Sequence, residues 1–245
     1  RALAIRTGLA VHSWHNLTNK GVLRMRPDRV FVWNDAQKRE AVTMHGADPD
    51  DVVVTGAPLY DQWFSRQPST TRDEFCRRVG LSAGKPFVLY LCSSAFIAAD
   101  EPAFVRRWVA ALRAAPDPRV RGAGVLVRPH PDNLAPWQQF EADGLDGVAV
   151  WPRQGGEPID RDSRDGYFDS IHHAAAAVGI NTSAQIEAGI IGRPVYTIRA
   201  PEYAATQDGT LHFRYLAGGE GGLLRVARTF DEHVVGTPPV QSTSL

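Results

Sequence analysis

The sequence predicts an α/β protein in which a doubly wound, parallel sheet follows a partial second α/β domain. Three observations lead there. Short β-branched or aromatic runs alternate with helix-forming segments along most of the chain, the pattern of strands joined by crossover helices. The strand candidates are apolar on both faces, as a sheet covered on both sides requires. A polar, turn-rich stretch, Ser65-Arg66-Gln67-Pro68-Ser69-Thr70-Thr71, separates a first series of elements from a second.

In the first series, Arg29-Val30-Phe31-Val32-Trp33 and Asp51-Val52-Val53-Val54-Thr55-Gly56 read as strands. Between them Asn34 can cap a helix through 36–42 that Gly46 stops. The chain opens on Arg1 and a strand-like run, Ala2-Leu3-Ala4-Ile5. Residues 1–64 are therefore expected to be the remnant of a larger front domain. Residues 65–84 form the linker and a lead-in helix at 73–79, closed by Gly80.

The second series, 85–235, begins with a buried strand at 86–92 and a helix at 103–115 that carries Phe104, Val105, Trp108, Val109 and Leu112 on one face. Strands follow at 124–128 and 146–151. Residues 154–166 read as a charged loop, 167–176 as a helix, 177–180 as a short buried strand and 183–192 as a helix. Pro194-Val195-Tyr196-Thr197-Ile198 is expected to close the sheet, and 236–245 to be a disordered tail.

Lys plus Arg equals Asp plus Glu, 27 each in 245 residues, so no global field favours nucleic acid or anionic lipid. Any phosphate site must be local. Cys76 and Cys92 stand singly, without disulfide or metal-ligand spacing. No apolar run approaches the roughly 20 residues of a membrane span, and no signal peptide is evident. A cytoplasmic protein is expected, with no cofactor and no metal.

Ligands of open parallel sheets bind beyond the carboxyl ends of the strands, and three strand ends carry suitable residues. After the 86–92 strand comes Ser93-Ser94, small hydroxyl residues beside which backbone N–H groups can approach a diphosphate. Arg128-Pro129-His130-Pro131 fixes a histidine between two prolines; His130 could donate to a phosphate oxygen or act as an acid. Asn181-Thr182-Ser183 opens a helix whose first N–H groups form an anion site, with Glu187 a turn further on to accept from a ribose diol. Ser183 and Glu187 also come close to capping-box spacing. Arg199, past the last strand, can grip a phosphate or form a surface ion pair. His172-His173 read as structural.

The segment 180–196, with Arg128-Pro129-His130-Pro131 upstream, resembles the Rossmann-like C-terminal domain of GT-B-type glycosyltransferases. The nearer likeness is to the branch with CDP-glycerol glycerophosphotransferases and capsule or surface-polysaccharide transferases. The front segment Ser13-Trp14-His15-Asn16-Leu17-Thr18-Asn19-Lys20-Gly21, with Val32-Trp33-Asn34 and Val54-Thr55-Gly56-Ala57, resembles the end of the N-terminal domain of that branch, with His15 where its motif carries Asp. The likeness covers most of 10–216. It implies an enzyme that moves a sugar or polyol phosphate from a nucleotide-activated donor to a glycan or lipid-linked acceptor, such as a surface polysaccharide or teichoic-acid-like chain. Ser93, Ser94, Arg128, Asn181, Thr182, Ser183, Glu187 and Arg199 would hold the donor, and His130 and His15 would be catalytic. No nucleic-acid partner is implied, and any peripheral membrane association falls to a part preceding Arg1. The alternatives are a sugar-nucleotide epimerase of the UDP-N-acetylglucosamine 2-epimerase type and a non-catalytic nucleotide-sugar-binding module.

Overall fold

The structure, a computed structural model, describes residues 5–140, 144–154, 158–218 and 222–236. The chain divides into two compact units, residues 1–65 with 210–212, and residues 66–209 with 213–245.

Unit 1 is built on three parallel strands in the order β1-β2-β3 (Gly8–Ala10, Arg29–Val32, Val52–Val54). Short helix α1 (Asn16–Asn19) and the longer α2 (Asp35–His45) connect them, and α3 (Asp61–Ser65) ends the series. Helix α2 starts and stops where its sequence dictates. The Asn34 side chain accepts from the Gln37 N–H, and Gly46 takes the left-handed conformation (φ 66°) that closes the last turn. Val11, Leu17, Val30, Val32, Ala41, Ala47 and Val52 form the core. The expectation of burial on both faces fails here. Val30 and Val32 point inward, whereas Phe31 and its register partner Val53 on the other face are exposed; Val54, in register with Val32, is exposed at the end of β3. Strand β1 was not anticipated; the run proposed in its place, residues 2–5, falls mostly outside the described residues.

Unit 2 holds six parallel strands in the order β6-β5-β4-β7-β8-β9. They are β4 (Phe87–Leu91), β5 (Gly124–Arg128), β6 (Val148–Val150), β7 (Ala176–Gly179), β8 (Val195–Ile198) and β9 (Leu224–Ala227). The helices are α4 (Arg72–Val79), α5 (Glu101–Arg113), α6 (Pro118–Arg121), α7 (Ala135–Gln138), α8 (Arg161–His172), α9 (Ala184–Ile190), α10 (Leu211–Ala217, of which Leu211 and His212 count with unit 1) and α11 (Phe230–Gly236). Alternate residues of β4 serve opposite faces. Val88 and Tyr90 join the core with Trp108 of α5, Trp137 of α7 and Val234 of α11. On the other face Phe87 stacks on Phe75 of α4, with ring centroids 6.0 Å apart.

Two expectations about this unit are corrected. Strand β8 does not close the sheet, because β9 pairs outside it. The helix expected at 167–176 begins a turn and a half earlier, at Arg161, because the Asp160 carboxylate caps it by accepting from the Ser163 N–H. Its other end comes sooner, with His172 the last helical residue and His173 the C-cap. Gly236 belongs to α11, and the rest of the proposed tail lies outside the described residues.

Candidate functional site

The order of the sheet sets where a ligand can enter. The chain runs outward from β4 to β5 and β6, then returns beside β4 as β7 and continues through β8 to β9. The connections leaving β4 and β7 therefore diverge, and the crevice at this switch point is the general binding place of open α/β sheets. Cys92-Ser93-Ser94 leaves β4 there and Ile180-Asn181-Thr182-Ser183 leaves β7.

These two turns are joined, but not as the sequence reading supposed. Ser93 is fully buried, and its hydroxyl accepts from the Asn181 N–H at 3.4 Å. Its own N–H donates to Glu101 Oε2 at 2.8 Å. Ser93 thus braces the crevice from behind, while half-buried Ser94 lies nearer solvent. Asn181 is held a second time, its Nδ2 donating to the Thr206 carbonyl at 2.6 Å. The expected capping box at Ser183 does not form. Ser183 is exposed and makes no side-chain cap bond. Gln185 substitutes for it: its Oε1 accepts from the Thr182 N–H at 3.2 Å, and its Nε2 donates to the Gly179 carbonyl at 3.1 Å.

Glu187 is engaged elsewhere. Tyr167 of α8 donates its hydroxyl to Glu187 Oε2, and the Arg128 guanidinium lies over the Tyr167 ring, 4.6 Å from its centroid. Arg128, at the end of β5, is only 8% exposed and also faces Trp151 at 5.2 Å. Its Nη1 is buried without a hydrogen-bond partner, a costly state for a charged donor. Burial lowers the Arg128 pKa to about 10, against the favourable charges of Tyr167 and Glu187. Burial likewise raises Glu187 to about 7, offset by the Tyr167 hydrogen bond and by Arg128. The result is a cation, a phenol and a carboxyl poised near neutrality, arranged beyond the ends of β5 and β7. Tyr167 and Trp151 were not singled out in the sequence; no local signal marks a lone aromatic as the wall of a charged site.

His130 follows Arg128 by two residues and is 28% exposed. The Asp132 N–H donates to its Nδ1 at 3.1 Å, which places the proton of the neutral ring on Nε2. Arg199 is not brought to this group. Its Nε lies 3.2 Å from Asp208 Oδ1, and it lines a separate open cavity of about 990 Å³.

In unit 1, His15 is not a solvated loop residue. It precedes α1, shares a 2.8 Å hydrogen bond with the Ser13 hydroxyl, and is lowered in pKa by burial and by Lys20. His212 lies 5.7 Å from it, ring to ring, and is packed edge-on against Trp14. Burial, with His15 second, pushes His212 down to about 4. Nothing around His212 in the sequence distinguishes it. Among the described residues, no three His, Cys, Asp or Glu side chains gather as a metal-ligand set. No described helix is long and apolar enough to cross a membrane.

Neither a family model nor a curated protein matches the chain. Solved structures do. The UDP-GlcNAc 2-epimerase of Methanocaldococcus jannaschii, in complex with UDP-GlcNAc and UDP, superimposes with a TM-score of 0.55 at 12% identity, over 85% of this chain and 52% of that one. A variant of the wall teichoic acid polymerase TagF gives 0.53 at 13% identity, over 89% and 54%. A second TagF variant, soaked with CDPG, gives 0.51 at 13% identity, over 85% and 47%. The chain thus spans about half the length of these proteins. Its fold is GT-B-like: a six-stranded parallel α/β sheet and a small three-stranded parallel sheet. Its structural neighbours are enzymes.

Proposed function

We propose that unit 2 binds the nucleotide part of an activated sugar or polyol donor, and that the chain serves transfer of that sugar or polyol phosphate to a glycan or lipid-linked acceptor. One observation carries the reading. At the switch point, the start of α9 and the group of buried Arg128 with half-buried Tyr167 and Glu187 gather at the ends of β5 and β7, the strands on either side of β4, joining anion-binding potential to an acceptor for hydroxyls. Thr182, Ser183 and Ser94 meet the phosphates, Ser93 and Asn181 hold the turn that presents them, and Glu187 accepts from the ribose diol. His130 donates from Nε2 to a phosphate oxygen as negative charge develops on the leaving group. Burial and Lys20 favour neutral His15 near pH 7, the state in which a histidine can take the acceptor hydroxyl's proton. The bond formed is from acceptor oxygen to sugar carbon or to phosphorus, and the nucleotide leaves as diphosphate or monophosphate respectively.

Titration of the chain with UDP-, CDP-, GDP- and dTDP-linked donors tests the binding step. One nucleotide series should bind, and Glu187→Gln should weaken it about tenfold or more. Equal affinities would remove Glu187 from the site. His15→Gln should slow turnover while leaving donor binding intact.

An epimerase remains the second reading, favoured by the Glu187 pKa of about 7, which suits acid–base exchange at a sugar carbon. The two readings separate on products. An epimerase interconverts its nucleotide sugar without an acceptor and exchanges deuterium into the sugar, whereas a transferase releases nucleotide only as acceptor is consumed.

A further inference from the structure

The open cavity of about 990 Å³ that Arg199 lines lies wholly within unit 2, among the start of α5, the loop before it, and the segments after β8 and β9. None of Ser93, Asn181, Thr182, Ser183, Glu187, Arg128 or His130 belongs to its lining. Its volume is at the upper end of those that enclose small organic ligands.

Its chemistry is divided. Phe104 packs against Tyr203 and Phe230, with centroids 5.7 and 5.3 Å away, and these rings form an apolar wall. Phe96, in the loop before α5, also lines the cavity and is 74% exposed. The charged residues are Arg107, Arg199 and Arg228 against Asp100 and Glu202. Arg107 is paired with Glu202, and Arg199 lies beside Asp208. The Arg228 guanidinium has no partner among the described residues; only its backbone N–H is engaged, donating to Glu232. The walls are braced rather than loose. The Thr206 hydroxyl donates to the Ile97 carbonyl at 2.8 Å, and the Thr206 carbonyl accepts from Asn181 Nδ2.

We propose that this cavity is a second ligand site, taking an anion that carries an apolar tail. The aromatic wall buries the tail, and Arg228 meets the head group. A cation would face the Arg228 guanidinium, and a wholly polar ligand would leave exposed Phe96 and half-buried Phe230 without a gain from burial.

The test is calorimetric titration of the full chain, free of nucleotide, with decyl phosphate below its micelle concentration. Decyltrimethylammonium, of equal tail and opposite charge, is the control. The expected result is one site for decyl phosphate and no detectable binding of the cation. Arg228→Gln should weaken decyl phosphate about tenfold, the scale of a charge-assisted contact. Ala103→Phe, which fills the cavity from α5, should abolish binding. Circular dichroism checks that each variant is folded; should Ala103→Phe be unfolded, exposed Arg228 decides alone. Unchanged affinity in Arg228→Gln, or equal binding of the cation, overturns the proposal. So does displacement of decyl phosphate by saturating UMP or CMP, which would put the probe in the nucleotide site. Failure of the donor titration leaves this result untouched.

Discussion

Glu101 is fully buried at the start of α5, where its two carboxyl oxygens accept from the Tyr90 hydroxyl at 3.1 Å and the Ser93 N–H at 2.8 Å. Burial raises its pKa from the usual 4.5 to about 8, with the Ser93 and Tyr90 hydrogen bonds offsetting part of the rise. Between those two values the folded chain holds a proton that the unfolded chain has released. This group's contribution to stability is therefore fullest below about pH 4.5, falls as pH rises, and levels off above pH 8. Glu101→Gln keeps an acceptor for Ser93 and a donor toward Tyr90 without a charge to bury. Urea unfolding should find it close to wild type at pH 5 and more stable by up to about 4 kcal/mol at pH 9; parallel pH profiles would exclude a buried, titrating Glu101. The same reasoning applies to binding at Glu187, whose pKa is about 7. Hydroxyl donors favour the ionised carboxylate, so donor affinity should rise between pH 6 and pH 8, and Glu187→Gln should flatten that rise. A flat wild-type profile would count against the assigned role. Glu187 was legible in the sequence as a residue one turn into a strand-end helix. Its actual neighbours, Tyr167 and Arg128, come from other elements 20 and 59 positions away, separations no local pattern reports.

At the scale of elements, the helices with strong punctuation were legible. Asn34 and Gly46 bound α2 and Gly80 ends α4, through hydrogen bonds made within a few residues of each end, whereas the Thr71–Glu74 capping box that starts α4 was not read from the linker. Strands with long apolar runs, such as β4 and β5, were legible for the same local reason. Strand β9 was not, since Leu224-Arg225-Val226-Ala227 is short, carries an arginine and lies at the sheet edge. The Asp160 cap was hidden by its surroundings, because a charged run reads as loop until one carboxylate is seen to accept a helix N–H. Close approach between elements is equally invisible in a sequence. Gly179 sits where β7 meets β4, and a Cβ there would lie 2.9 Å from the Leu91 carbonyl oxygen and 3.4 Å from the Gln185 amide. Gly179→Ala must push backbone as well as the side chain that holds the α9 turn. It should lower the urea midpoint by an amount equivalent to about 1–3 kcal/mol, with the slope unchanged. A midpoint within error of wild type would show that the strands part without cost.

The two units differ in what holds them together. Unit 2 has a continuous core over one face of its sheet, running from Trp137 and Val150 at one side through Trp108 and Tyr90 to Val234 at the other. A second layer, with Phe75 and Phe87, covers the opposite face. Unit 1 has a core cluster of seven buried apolar residues on one face of a three-stranded sheet whose other face exposes Phe31 and Val53. Small domains bury a lesser fraction of their surface and are marginal by themselves, and a parallel sheet open on one side is an uncommon arrangement. A chain shortened to residues 66–236 should therefore fold alone. Trp108 and Trp137, both fully buried, report on its core by fluorescence. The expected outcome is a single cooperative urea transition with blue-shifted tryptophan emission in the folded state, together with retained binding of the nucleotide found in the donor titration. Residues 1–65 alone should show no cooperative transition. A 66–236 chain that binds hydrophobic dye and unfolds without a sharp midpoint would mean that the core of unit 2 is insufficient by itself, and with it the view of unit 2 as a self-standing nucleotide-binding domain would fall.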